Sequence, residues 1–96
     1  MSETARTVLV TITGRVQGVW FRDWTKRQAD RLALSGWVRN RPDASVEALL
    51  SGDHESINEM IRKCHTGSPM SRVDKVMLIE HEGEGPVQGF EIRETG

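Results

Sequence analysis

Tyrosine is absent from this 96-residue chain, phenylalanine occurs twice, and aromatic residues make up only 5% of it. A sheet that stacks nucleobases needs such side chains together with a basic surface. A single cysteine, Cys64, excludes an intrachain disulfide and fits a reducing, cytoplasmic setting. No apolar run reaches the roughly 18 residues that a transmembrane helix needs, which excludes a span of that kind. The opening Met1-Ser2-Glu3-Thr4-Ala5-Arg6 lacks an apolar core, so no secretory signal is expected. Neither sign of charge dominates: 13 Lys and Arg face 14 Asp and Glu, for a net −1. That balance argues against a general nucleic-acid binder. What is present is 36% hydrophobic and 28% charged residues with mean hydropathy −0.49. Residues 1–96 are expected to form one domain with a modest core.

The near-zero net charge hides an asymmetry. Residues 1–41 carry eight bases against three acids, a net of +5, and the remainder carries five bases against eleven acids, a net of −6. Either one face handles an anion, or the two halves interleave in the fold and the field cancels.

Thr7 to Thr13 is β-branched and alternating, with Val8, Val10 and Ile12 on one side, and reads as a strand. Gly14 to Gly18 breaks it. A helix then begins near Phe21, its stripe formed by Phe21, Trp24, Ala29, Leu32 and Ala33, with Gly36 expected just past its end. Gly36 to Arg41 reads as a second strand, Pro42-Asp43-Ala44 as a turn, and Val46, Ala48 and Leu50 as the inward positions of a third strand, the pair forming a hairpin. Asp53 is the expected N-cap of a second helix whose Ile57, Met60, Ile61 and Cys64 follow helical spacing; Gly67-Ser68-Pro69 ends it. Val73 to Ile79 gives a fourth strand, and Phe90 with Ile92 a short fifth, joined by residues 82–86.

The order is β-α-β-β-α-β plus a terminal strand. Two helices cannot cover both faces of such a sheet. They are expected on one face of an antiparallel sheet, an α+β, ferredoxin-like two-layer sandwich. Thr7, Thr11, Arg39 and Glu47 would then lie on the other, wetter face.

The chemistry concentrates in Gly14-Arg15-Val16-Gln17-Gly18-Val19-Trp20-Phe21-Arg22, between a strand and a helix start. The first turn of a helix offers free N–H donors, and its dipole favours an anion. Arg22 in that turn opposes the dipole by a few tenths of a kcal/mol to about 1 kcal/mol, unless an anion lies between them. A guanidinium can grip two phosphate or carboxylate oxygens at once. The glycine spacing matches neither a Walker loop nor a dinucleotide fingerprint.

The segment Ile12-Thr13-Gly14-Arg15-Val16-Gln17-Gly18-Val19-Trp20-Phe21-Arg22 closely resembles the signature of the acylphosphatase family. Gly36-Trp37-Val38-Arg39-Asn40 is similar to that family's second signature and runs on through Ser45-Val46-Glu47-Ala48 and Gly52. The resemblance spans roughly residues 6–93 and includes Val73-Asp74-Lys75-Val76 and Phe90-Glu91-Ile92-Arg93. One departure is Ala44, where the family usually has glycine. If that turn needs a positive φ, alanine there costs about 1 kcal/mol. The resemblance implies hydrolysis of an acyl phosphate to a carboxylate and inorganic phosphate. It assigns the phosphoryl group to Arg22 and to the main-chain amides of Val16, Gln17, Gly18, Val19 and Trp20, and the attacking water to Asn40. It implies no metal and no cofactor, and a monomer with a small-molecule acyl phosphate as its partner.

Other residues read more plainly. His54, His65 and His81 lack metal-ligand spacing and read as solvated or capping side chains. Cys64 lies on an apolar stripe and reads as an inert thiol rather than as a nucleophile beside His65. Glu80, Glu82 and Glu84 read as a solvated edge and loop, and Trp24 as core. Trp20, beside the loop, is a candidate contact for the acyl part; Arg39 and Arg41 either draw in anions or decorate a strand. Three rival functions stand beside the enzyme. The first is a nucleic-acid-binding module on the same sandwich. The second is a domain of the kind found at the start of hydrogenase-maturation proteins, against which the absence of a zinc-finger continuation weighs. The third is an idle anion sensor.

Overall fold

The computed structural model describes residues 5–81 and 89–96. The chain runs β1 (Ala5–Arg15), α1 (Phe21–Arg31), β2 (Ser35–Asn40), β3 (Val46–Asp53), α2 (His54–Thr66), β4 (Arg72–Glu80) and β5 (Phe90–Ile92). The strands form one sheet in the order β4-β1-β3-β2-β5. The first four pair antiparallel, as expected of a ferredoxin-like sandwich. The sheet as a whole is mixed, because β5 lies parallel to β2, with Val38 opposite Ile92. β3 is paired on one edge by β2 and on the other by β1, and β2 has its outer edge left for the terminal strand.

Alternation decides which face is covered. Val8, Val10 and Ile12 of β1, Val38 of β2, and Val46, Ala48 and Leu50 of β3 are fully buried in one cluster with Phe21 and Ala29 of α1 and Ile57, Met60 and Cys64 of α2. Both helices therefore pack on the same face. Asp53 caps α2 as expected, its Oδ2 accepting from the Glu55 N–H at 3.1 Å. Gly67 ends that helix with φ 82°, its N–H donating to the Lys63 carbonyl at 2.8 Å. Burial pushes the Cys64 thiol up to about 12, which keeps it protonated and unreactive.

The first helix departs from expectation. It stops at Arg31, and its termination falls on Ala33 rather than on Gly36. The Leu34 N–H donates to the Ala29 carbonyl and the Ala33 N–H to the Asp30 carbonyl, a Schellman closure with Ala33 in the left-handed position at φ 57°. Gly36 instead lies within β2, where a Cβ would stand 1.8 Å from the Leu49 carbonyl oxygen. The buried stripe of α1 is Phe21, Thr25, Gln28 and Ala29, whereas Ala33 is exposed. Thr25 is tolerated inside because its hydroxyl donates to the Phe21 carbonyl at 2.8 Å. Trp24 is only partly buried, its ring 5.2 Å from that of Phe21.

The helix-free face is less polar than Thr7, Thr11, Arg39 and Glu47 suggest. Strand register sets Ile79, Leu9, Leu49 and Trp37 in one row across it. The guanidinium carbons of Arg39 and Arg93 lie 4.9 and 5.0 Å from the Trp37 ring centroid, so charged heads cover part of that row. Of the two readings of the charge asymmetry, interleaving has support. Arg6 from the basic half pairs with Glu80, and Arg39 and Arg41 both pair with Glu47. Glu80 is exposed as expected; Glu82, Glu84 and the connection at 82–86 lie outside the described residues.

The hairpin turn also uses a left-handed alanine, Ala44 at φ 78°. The condition set by the missing glycine therefore holds. Replacing Ala44 or Ala33 by glycine is expected to raise stability by about 0.5–1 kcal/mol each. Thermal melts should show an increase of roughly 2–8 °C per substitution.

Candidate active site

Pairing register brings two distant segments to one end of the sheet. Ile12 of β1 and Asn40 of β2 both pair with Val46 of β3, so they stand at the same level on either side of it. Both strands run antiparallel to β3, and their C-terminal ends therefore point the same way. The chain leaving β1 at Arg15 must pass over this end to enter α1, which packs on β2 and β5.

Several contacts fix that passage. Val16 and Val19 are buried and anchor the loop to the core. The Gln17 side chain reaches across to the hairpin, its Nε2 donating to the carbonyls of Arg41 at 2.9 Å and Ser45 at 2.8 Å. The hairpin mouth is itself closed by Arg41 N–H to Ser45 carbonyl and Ala44 N–H to Arg41 carbonyl bonds. Ser45 donates its N–H and hydroxyl to Asp43 Oδ1; the hydroxyl bond foremost, then the amide, holds the Asp43 carboxyl below the usual carboxylate range. Gly18 has φ 74° with open space where a Cβ would be, so its conformation rather than crowding calls for glycine. Trp20 follows at φ 63°, a region that bulky residues rarely enter.

Trp20 is the N-cap of α1 and makes no side-chain capping bond. The donors of the first turn are thus left for another partner. Arg22, in that turn, takes part in no ion pair among the described residues. A cavity of about 300 Å³ opens here, lined by Val16, Gly18, Trp20 and Phe21 from the loop and helix start. Arg22, Asp23, Asn40 and Ile92 complete its wall. Asn40 Oδ1 is buried and has no hydrogen-bond partner among the described residues. A buried acceptor left so costs roughly 1–3 kcal/mol unless a donor arrives with water or ligand.

Of the residues singled out from sequence, Arg22, Asn40, Val16, Gly18 and Trp20 line one cavity. Gln17 and Val19 do not line it: the Gln17 side chain is spent on the hairpin, and Val19 lines a neighbouring hollow. Arg39 and Arg41 are held by Glu47, at 2.9 and 3.7 Å. His54, His65 and His81 are exposed, and the described residues hold no cluster of three or more metal-binding side chains. Sequence reading missed Ile92 and Asp23. The alternation of Phe90 and Ile92 marked a strand, but nothing local showed that it would lie beside β2.

The fold is a β-α-β-β-α-β sandwich with an uncapped helix start, an arginine and an orphan carboxamide at one hollow, a set of groups with the chemistry to hold a small anion. The acylphosphatase family model matches residues 8–92. An acylphosphatase of Rubrobacter xylanophilus is 49% identical over 90% of this chain and 78% of its own length. One of Thiobacillus denitrificans is 48% identical over 92% and 97%. The crystal structure of acylphosphatase from Bacillus subtilis superposes with a TM-score of 0.88 at 32% identity, covering 94% of this chain and 99% of that one. The chain belongs to the acylphosphatase family.

Gln17→Ala removes two donors from the loop clamp. It is expected to lower stability by about 1–2 kcal/mol. It should also weaken binding of inorganic phosphate roughly tenfold, as measured by calorimetry.

Proposed function

We propose that this protein hydrolyses acyl phosphates in the Arg22–Asn40 cavity, releasing a carboxylate and inorganic phosphate. The observation that carries the reading is the buried, unpartnered Oδ1 of Asn40 in the same cavity wall as Arg22. An acceptor there can take a hydrogen bond from a water molecule, and a carboxamide is too weak a base to take the proton itself.

The phosphoryl oxygens lie against main-chain amides of Val16, Gly18 and Trp20, the loop residues of the cavity wall, and against the Arg22 guanidinium. Support comes from the left-handed residues Gly18 and Trp20, since such turns curl successive N–H groups around a common hollow, and from the uncapped start of α1. Water held by Asn40 attacks phosphorus. The bond from phosphorus to the acyl oxygen breaks, its electron pair leaves with the carboxylate, and the water proton passes to a phosphate oxygen. Because the carboxylate is a good leaving group, positioning and charge stabilisation suffice. No step draws on a metal or cofactor. Since every residue invoked comes from one chain, a monomer is sufficient. A single buried cysteine agrees with a cytoplasmic setting, and no helix among the described residues is long and apolar enough to cross a membrane.

Release of inorganic phosphate from benzoyl or acetyl phosphate tests the reading. Turnover should be unchanged by EDTA and competitively inhibited by phosphate. Asn40→Ala is expected to raise the barrier by about 3–4 kcal/mol, a loss of some hundredfold to thousandfold in kcat. Arg22→Lys should fail comparably, because a point charge cannot replace a planar fork. Either variant keeping more than about a tenth of normal turnover counts against the assignment.

A further inference from the structure

A second hollow of about 300 Å³ lies against the first, and the proposed hydrolysis makes no use of it. The two share Trp20 and Asp23 as common walls. Beyond Trp20 the second is lined by Val19, Trp24, Arg27, Pro69 and Met70, with Ser68 from the chain that follows α2. Three observations mark it as more than a surface dent. The Ser68 hydroxyl is buried, in a residue only 5% exposed, and has no hydrogen-bond partner among the described residues. Trp20 is 72% exposed although its backbone is held in an unfavourable left-handed conformation. Met70, in the same lining, is 67% exposed, so two large apolar side chains of one hollow stand in water.

We propose that this second hollow seats the acyl group of the substrate and favours ring-sized apolar acyl groups over small ones. The inference rests on the phosphoryl group occupying the Arg22–Asn40 cavity. From there the acyl carbon lies beside Trp20, and the remainder of the group has one contiguous hollow to enter. An acetyl group ends at the Trp20 wall and gains nothing from the far side. An aromatic ring reaches Trp24 and Met70, whose indole and thioether both favour aromatic neighbours. The volume is at the lower end of small-molecule sites, which suits one ring. Ser68 Oγ then has a place to meet a polar substituent of that ring.

The test compares kcat/KM for benzoyl and acetyl phosphate in the natural protein, in Met70→Ala, which removes one wall, and in Met70→Trp, which fills the gap. Met70 is exposed, so both variants are expected to fold. The benzoyl-to-acetyl ratio should fall about tenfold in each, while the inhibition constant of inorganic phosphate, which reads only the first cavity, stays within about twofold. A ratio that stays at its natural value in both variants overturns the acyl seat and leaves the hydrolysis standing. Failure of the natural protein to hydrolyse either compound or to bind phosphate overturns the parent reading, and the acyl seat with it.

Discussion

The site depends on one amide. Gln17 Nε2 bridges the carbonyls of Arg41 and Ser45 and thereby ties the loop after β1 to the mouth of the β2–β3 hairpin. Without that tie, Arg22 and Asn40 belong to segments that share no strand pairing. With it, the uncapped start of α1 and the end of β2 face one hollow. The buried Val16 and Val19 hold the loop from below, and the Gln17 bonds tie it across the sheet end.

Much of this was legible in the chain because local chemistry and tertiary outcome agree. The alternation of Val8, Val10 and Ile12, the Asp53 cap, and the spacing of Ile57, Met60 and Cys64 each mean the same thing alone as they do in the fold. The donor-rich character of the loop was legible for the same reason, since a glycine turn leading into a helix start carries its free N–H groups whatever surrounds it. Family resemblance, rather than spacing, singled out Asn40.

What stayed hidden depends on partners far away in sequence. Gly36 looked like a helix stop because glycine favours that position; its actual duty is to let the Leu49 carbonyl approach, which only the β2–β3 register reveals. Ala33 gave no sign that it would take a left-handed conformation, because alanine is a helix former. Gln17 looked like one more loop residue. Its side chain acts on carbonyls 24 and 28 positions away, which no short motif encodes. The parallel β5 was invisible as such, since three residues cannot declare which edge they will join.

The bare N-terminus of α1 has a thermodynamic corollary. Under the proposed mechanism its capping partner is external, and an occupant that binds only the native state adds to folding stability by mass action, in proportion to the logarithm of its concentration over its dissociation constant. Inorganic phosphate, the reaction product, is such an occupant under the proposed mechanism. The ambient phosphate pool would then set two properties at once, slowing turnover while prolonging the lifetime of the folded chain.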